Sequence, residues 1–449
     1  MTAGMSRQKP YIGLRAFEVD EWDRFFARST WTRIVVGNLV ASRLTLLYGE
    51  SGVGKTSLLQ AGVEHELRDS TAHGGGRSRR TRLTPVVFRT WQGDPVGPLI
   101  ARVWERAAAD GEPPKTLAKA LRAVAEANAC RVVLMLDQFE EYLLYHGDQE
   151  GPASLPAQLA RVLDEPRLPA AALISIREDA LSRLDPFKRA IPRLFDNLLH
   201  LERVERAGAA EAITGPIEWY NRRRTEGEPV EIEEPLVEEI LGLTAADRED
   251  VAGEPTVEFA YLQLVLKRLW EEARKQGTSR LGLDLLDRIP GGAGEIVRDH
   301  VRHAVEDLAD EDRDLAAEVF RYLVAPSGGK YVYAVDDLAV QTGAEKDRLE
   351  RLLDALCSEE VWILRSVGLP SSSGAEVRGV EIYHDKFAGP ILDWRAEHLE
   401  RRARERARRE ERERARAEAE EAELRRKRKL RRAALIAGGL VATILVALG

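Results

Sequence analysis

Only two cysteines, Cys130 and Cys357, occur in 449 residues. Both sit in apolar surroundings without metal-ligand spacing. That excludes a cysteine-held metal centre and a disulfide framework, and it points to buried thiols in a reducing cytoplasm. The N-terminus, MTAGMSRQKP, lacks the apolar stretch a secretory signal requires, so the bulk of the chain is expected in the cytosol. No internal period of repeat length is present, which excludes a repeat array. A general excess of positive charge is missing as well: 75 acidic side chains outnumber 67 basic ones. That balance argues against nucleic-acid binding over the whole surface.

The chain is too long for one ordinary core, and two or three globular domains are expected. Four apolar runs between polar turns read as buried parallel strands, at 44–48, 84–88, 132–136 and 172–176, with a weaker fifth at 197–201. Helical segments at 55–67, 98–109, 116–127 and 156–163 separate them. This alternation predicts an α/β fold with a parallel sheet covered on both faces. The stretch 69–82, with three consecutive glycines, reads as a surface loop. From 207 to about 300 the strand pattern stops and helical periodicity takes over, clearest at Leu262, Leu266, Leu269 and Trp270. A smaller unit follows at 301–396. Its helices at 312–323, 335–341 and 347–356 precede strands at 362–367 and 380–383, the pattern of a winged helix.

The last segments differ again. Residues 395–432 are rich in Arg, Glu and Ala, and read as a solvated helix roughly 57 Å long at 1.5 Å per residue. Leu399, Ala403 and Ala407 form a thin apolar stripe that permits a coiled coil. Residues 425–432 are basic except for Leu430, and the seventeen residues 433–449 carry no charge. As a helix those seventeen would span about 25 Å, against ~30 Å for a hydrocarbon core. With basic residues before it, this segment is expected to anchor cytoplasmic domains to the inner (plasma) membrane.

The segment GESGVGKT carries the chemistry. Polyphosphate needs a concave array of backbone N–H donors, and glycine lets the backbone approach closely enough to supply it. Gly49, Glu50, Ser51, Gly52, Val53 and Gly54 form such a loop, between an apolar strand and a helix that opens at Lys55, Thr56 and Ser57. Lys55 is placed for the β and γ phosphates, Thr56 for Mg²⁺, and the helix dipole adds to both. Asp137 ends the third strand in RVVLMLDQFEE, where a second magnesium-holding carboxylate belongs. Next to it stands Gln138, which can orient a water but cannot take its proton. Glu140 and Glu141 are the remaining candidates for a base, and only one of them is expected to face the site. Slow hydrolysis follows. Arg177, just after the fourth strand, is a candidate γ-phosphate sensor, with a surface ion pair to Glu178 or Asp179 as the alternative. An NKxD guanine-recognition string is absent, which favours adenine.

These residues, taken in order, resemble a known group. PYIGLRAFEVDEWDRFFAR (10–28), DQFEE (137–141), YLQLVLKRLWEEA (261–273) and GVEIYHDKFAGPILDWR (379–395) are similar to the motifs of the first novel-STAND family, bacterial signal-transduction ATPases with numerous domains. The resemblance covers roughly 11–395. It implies a nucleotide switch, with ADP enclosed at rest and ATP with self-association when active. It also implies that Gly13 to Phe17 and Arg28 lie near the adenine and phosphates, and that His384 touches the β-phosphate of ADP. Ala27 and Ser29 replace the Gly and Glu of the family's FFGRE string.

The expected organisation is an N-terminal nucleotide-site segment (1–38), a P-loop NTPase domain (39–206), a helical domain (207–300), a winged-helix domain (301–395), a charged stalk (396–432) and a transmembrane helix (433–449). The leading reading is a membrane-tethered ATP/ADP switch that acts on an unidentified protein effector. Two rivals stay open: an ATPase motor or transporter component with continuous turnover, and a membrane-bound regulator whose winged helix binds DNA. Against the last, the expected recognition helix, DRLERLLDAL (347–356), is acidic on balance and unsuited to phosphates.

Overall fold

The computed structural model describes residues 9–72, 82–91, 94–107, 111–146, 151–225, 227–249, 255–289, 292–358, 361–370, 376–383 and 385–448, with no side chain beyond 428. Five strands form a wholly parallel sheet: β1 (Leu44–Gly49), β2 (Arg82–Phe88), β3 (Cys130–Leu136), β4 (Ala170–Arg177) and β5 (Leu198–His200). Their order is β2-β3-β4-β1-β5. The strands are apolar on both faces, as a sheet covered on both sides requires. Leu46, Leu134 and Ile174 face one core, while Leu47, Met135 and Leu173 face the other. Because β4 lies between β1 and β3, the ends of all three meet at one edge. Gly49 is directly opposite Arg177 across the β1–β4 pair.

Some expectations need correction. A helix over Ser29–Ala41, not read from the pattern, packs Val35 and Leu39 onto the sheet. Of the 69–82 stretch read as a loop, the first residues continue a helix to Ala72 and β2 begins at Arg82; 73–81 lie outside the described residues. Beyond β5 the chain is not purely helical: β6 (Val204–Glu205), β7 (Glu231–Ile232), β8 (Ala245–Glu249), β9 (Pro255–Val257) and β10 (Arg280–Leu281) make two small sheets. These strands are two to five residues long, too short for a period of two to declare itself.

The rest of the chain shares one apolar core, which runs from Tyr11 and Val204 through Leu262 and Trp270 to Ile382 and Trp394. Within it, helices Asp310–Leu323, Val335–Thr342 and Lys346–Cys357 carry a three-stranded antiparallel sheet of β11 (Tyr333–Ala334), β12 (Leu364–Pro370) and β13 (Glu376–Ile382). The N-terminal segment is tied to this part of the chain. The buried Tyr11 hydroxyl donates to Ile213 O at 2.6 Å, and Arg24 lies over the Trp219 ring.

A single helix, Ala388–Leu448, ends the described structure. Its first turns are held by Ile391, Trp394 and the buried His398, whose Nε2 lies 2.7 Å from Asp314. From 403 on, the side chains up to 428 are exposed. Among the described residues no helix is long and apolar enough to cross a membrane. The side chains of 433–449 lie outside the described ones.

Candidate functional site

The phosphate loop leaves β1 at Gly49 and enters a helix at Lys55. Gly52 and Gly54 take φ of +76° and +97°, a region that side chains with a Cβ avoid. The helix then passes through a π-helical stretch, Leu58–Glu64, where Gly62 lies close against Thr32. The Lys55 ammonium folds back onto the carbonyls of Gly49 and Glu50, both at 2.8 Å. Burial pushes its pKa below the usual lysine value, opposed by the nearby Glu140 and Asp137 carboxylates.

Asp137 is 1% exposed. Its Oδ1 accepts from the Ser175 hydroxyl on β4 at 2.8 Å, and its backbone carbonyl accepts from Trp91 Nε1 at 2.8 Å. The other carboxylate oxygen, Oδ2, is buried with no hydrogen-bond partner. A buried carboxylate oxygen left unmet is costly, so this atom suits a cation. With Thr56 lining the same cavity, the donor set is the hard-oxygen kind that Mg²⁺ takes.

Gln138 turns the chain at a positive φ of 53°, and helix Phe139–His146 follows. Both Glu140 and Glu141 line the cavity, so the expectation that only one faces it is too narrow. They differ in surroundings. Burial pushes the Glu140 carboxyl above the usual range, opposed by Lys55 and Arg177, and its Oε2 accepts from the Arg177 backbone N–H at 3.2 Å.

Arg177 is buried at the end of β4 and already engaged. Its Nε and Nη2 donate to Asp179 at 3.0 and 2.5 Å, and Nη1 donates to the Ser366 carbonyl of β12 at 2.6 Å. The ion pair with Asp179 named as the alternative therefore exists, but it also bridges to the small antiparallel sheet. Nearby, the Tyr383 hydroxyl rests on Gly52 so closely that a Cβ there would overlap it, and Trp362 packs edge-on against Tyr383 at 4.6 Å. His384 lies outside the described residues.

Together these groups line a cavity of about 710 Å³. Its lining includes Lys55, Thr56, Asp137 and Arg177, and also Gly13 to Phe17, Ser57, Phe259, Ala260 and Gln263. The Phe17 backbone N–H donates to Ser57 Oγ at 3.2 Å, which fixes the N-terminal segment one residue beyond Thr56. Arg28 lines a neighbouring cavity of about 650 Å³ instead. It is 4% exposed and donates to Val53 O at 2.9 Å, and burial pushes its pKa down to about 10. Ala27, in the place of a glycine, adopts φ of +68°. The backbone that glycine would favour is kept, at some strain.

Sequence reasoning missed Ser175, Trp362, Tyr383, Phe259, Ala260 and Gln263 as residues of the site. Ser175 alone gave a signal, a hydroxyl inside an otherwise apolar strand run. The others come from distant segments, and only packing brings them to the loop.

A parallel sheet with a phosphate loop after β1 and a magnesium-type carboxylate after β3 defines a P-loop NTPase. The chain belongs to the novel STAND NTPase 1 family, whose model matches residues 10–432. Among curated proteins none matches. Among solved structures the chain is similar to the Aeropyrum pernix ORC1 protein in complex with DNA, at 14% identity over 83% of this chain and 93% of that one, with a TM-score of 0.45. The ADP form of the Aeropyrum pernix ORC2 protein gives 15% identity over 84% and 95%, at a TM-score of 0.42. A Walker-type ATPase of Pyrococcus abyssi gives 16% identity over 84% and 98%, also at 0.42.

Proposed function

We propose that this protein is an ATP/ADP-operated signalling switch with slow hydrolysis, tethered to a membrane by its C-terminal segment. One observation carries the reading: β12 bonds the end of β4 beside the phosphate loop, through Arg177 to Ser366, and Tyr383, just after β13, rests on Gly52 of the loop. What occupies the loop and where the small sheet sits are thereby coupled. The sheet and its three helices are read as a winged helix that closes on the nucleotide. With ADP bound the contact holds. A γ-phosphate would compete for Arg177, freeing Ser366 and releasing the lid for self-association. His384, the residue after Tyr383, is proposed to donate to the β-phosphate of ADP, on the strength of the family resemblance.

Mg²⁺ would be held by Asp137 Oδ2 and the Thr56 hydroxyl, and would neutralise charge on the β and γ phosphates. Glu140 is the group able to take a proton from water, while Gln138 orients it. Since no acid directly follows Asp137, turnover is expected well below the ~1–10³ s⁻¹ typical of enzymes. The anchor is assigned to 433–449, which follows the basic run 425–432. Confinement to a membrane would raise effective concentration and favour assembly by the stalk.

The test is the nucleotide that accompanies the purified full-length protein, together with Lys55→Ala. Bound ADP is expected in the wild type and none in the variant. Unchanged ATP affinity in Lys55→Ala would remove the site assignment, and fast multiple turnover by the isolated wild type would favour the motor reading.

A further inference from the structure

The cavity's lining includes a group that the nucleotide reading leaves unexplained. Gln263 is 5% exposed, yet its Oε1 is buried without a hydrogen-bond partner. Leucine would fill such a place in the helix Phe259–Gln276 at less cost, because an unmet buried amide is destabilising. Its neighbours are Phe17, Phe259 and Ala260, an apolar setting for a flat ring.

Three observations link Gln263 to the 13–17 segment, which packs on the start of the loop's helix. The Phe17 N–H to Ser57 Oγ bond fixes the 13–17 segment beside the start of the loop's helix. A Cβ on Gly13 would stand 2.8 Å from Lys267 Cδ, so helix Phe259–Gln276 runs directly against that segment. Gln263 precedes Lys267 by four residues and shares its face. The phosphates belong at Lys55, and a nucleotide lying along the cavity would bring its base toward Gln263.

We infer that Gln263 reads the base and makes the site select adenine. Its amide would accept from the adenine N6 amine and donate to N7, the bidentate pairing that suits glutamine to adenine. A 6-oxo purine offers two acceptors on that edge, so it loses one bond and sets O6 against Oε1. This inference rests on the proposed nucleotide site and adds its base specificity.

The test compares ADP, IDP and inorganic pyrophosphate on the full-length protein, by equilibrium binding. IDP carries a 6-oxo group and an N1–H where ADP has a 6-amino group and a bare N1, keeps the same N7, and pyrophosphate lacks a base. Wild type is expected to prefer ADP to IDP. Gln263→Leu should weaken ADP by about five- to a hundredfold, IDP far less because its one remaining bond to N7 is offset by the O6–Oε1 repulsion, and pyrophosphate not at all. The melting temperature without ligand should hold or rise, because the unmet amide is gone. Gln263→Met serves if the leucine variant misfolds. An unchanged ADP-to-IDP ratio would overturn the inference, assigning Oε1 to a water in the adjoining void of about 10 Å³. An equal loss for all three ligands would overturn it too, as a packing effect. The underlying site is checked separately: if Lys55→Ala leaves pyrophosphate binding unchanged, the nucleotide reading fails rather than the base assignment.

Discussion

Replacing Arg177 with alanine tests the coupling between the phosphate loop and the small antiparallel sheet. The Arg177 side chain is only 10% exposed, whereas Asp179 is 58% exposed. Their ion pair is therefore largely screened and adds at most about 1 kcal/mol. The bond from Nη1 to the Ser366 carbonyl is shielded and has a charged donor, which is worth about 1.5–3 kcal/mol. Arg177→Ala should thus raise local opening of β12 by about ten- to hundredfold. Hydrogen exchange of the amides in Leu364–Pro370 measures this directly. Asp179→Asn keeps the Ser366 bond and should loosen β12 far less. Unchanged protection of β12 in Arg177→Ala would refute the reasoning. So would an equal increase across the parallel sheet, since that would signal global destabilisation instead of a released lid.

Three further outcomes follow from the same geometry. Glu140→Gln should lower ATP turnover by about 10²–10⁴-fold, the range for loss of a general base, with ADP affinity retained; single-turnover assays with unchanged rates would exclude Glu140 as the base. Burial depresses the His300 pKa from 6.5 to about 4, outweighing its hydrogen bond to Val361 O. The native ring stays neutral where the unfolded one charges, so stability present above about pH 6.5 falls toward pH 4, by up to about 3 kcal/mol. Thermal melts of His300→Gln should show a flatter profile over that window, and an identical acid loss would assign it to other groups. Deleting 433–449 should move the protein from the membrane to the soluble fraction after lysis; full-length protein found in the soluble fraction would exclude the tether.

Local pattern was enough for the parallel strands, because each is an apolar run long enough to stand out between polar turns. The phosphate loop was equally legible. Its glycines, Lys55 and Thr56 are consecutive, and the backbone they require is local to eight residues. Asp137 followed from its place at a strand end. The short strands β6 to β10 and the helix Ser29–Ala41 were not legible, since their pairing and burial depend on partners far along the chain. Arg177 marks the boundary between the two kinds of knowledge. Sequence put it at the end of β4 with Asp179 two residues on, but its third partner, Ser366, is 189 positions away. Tyr383 on Gly52 and Lys267 beside Gly13 are of the same kind. Contacts between distant segments carry no periodicity and no local spacing. They exist only because the core of the rest of the chain packs with its loops against the phosphate-binding edge of the parallel sheet.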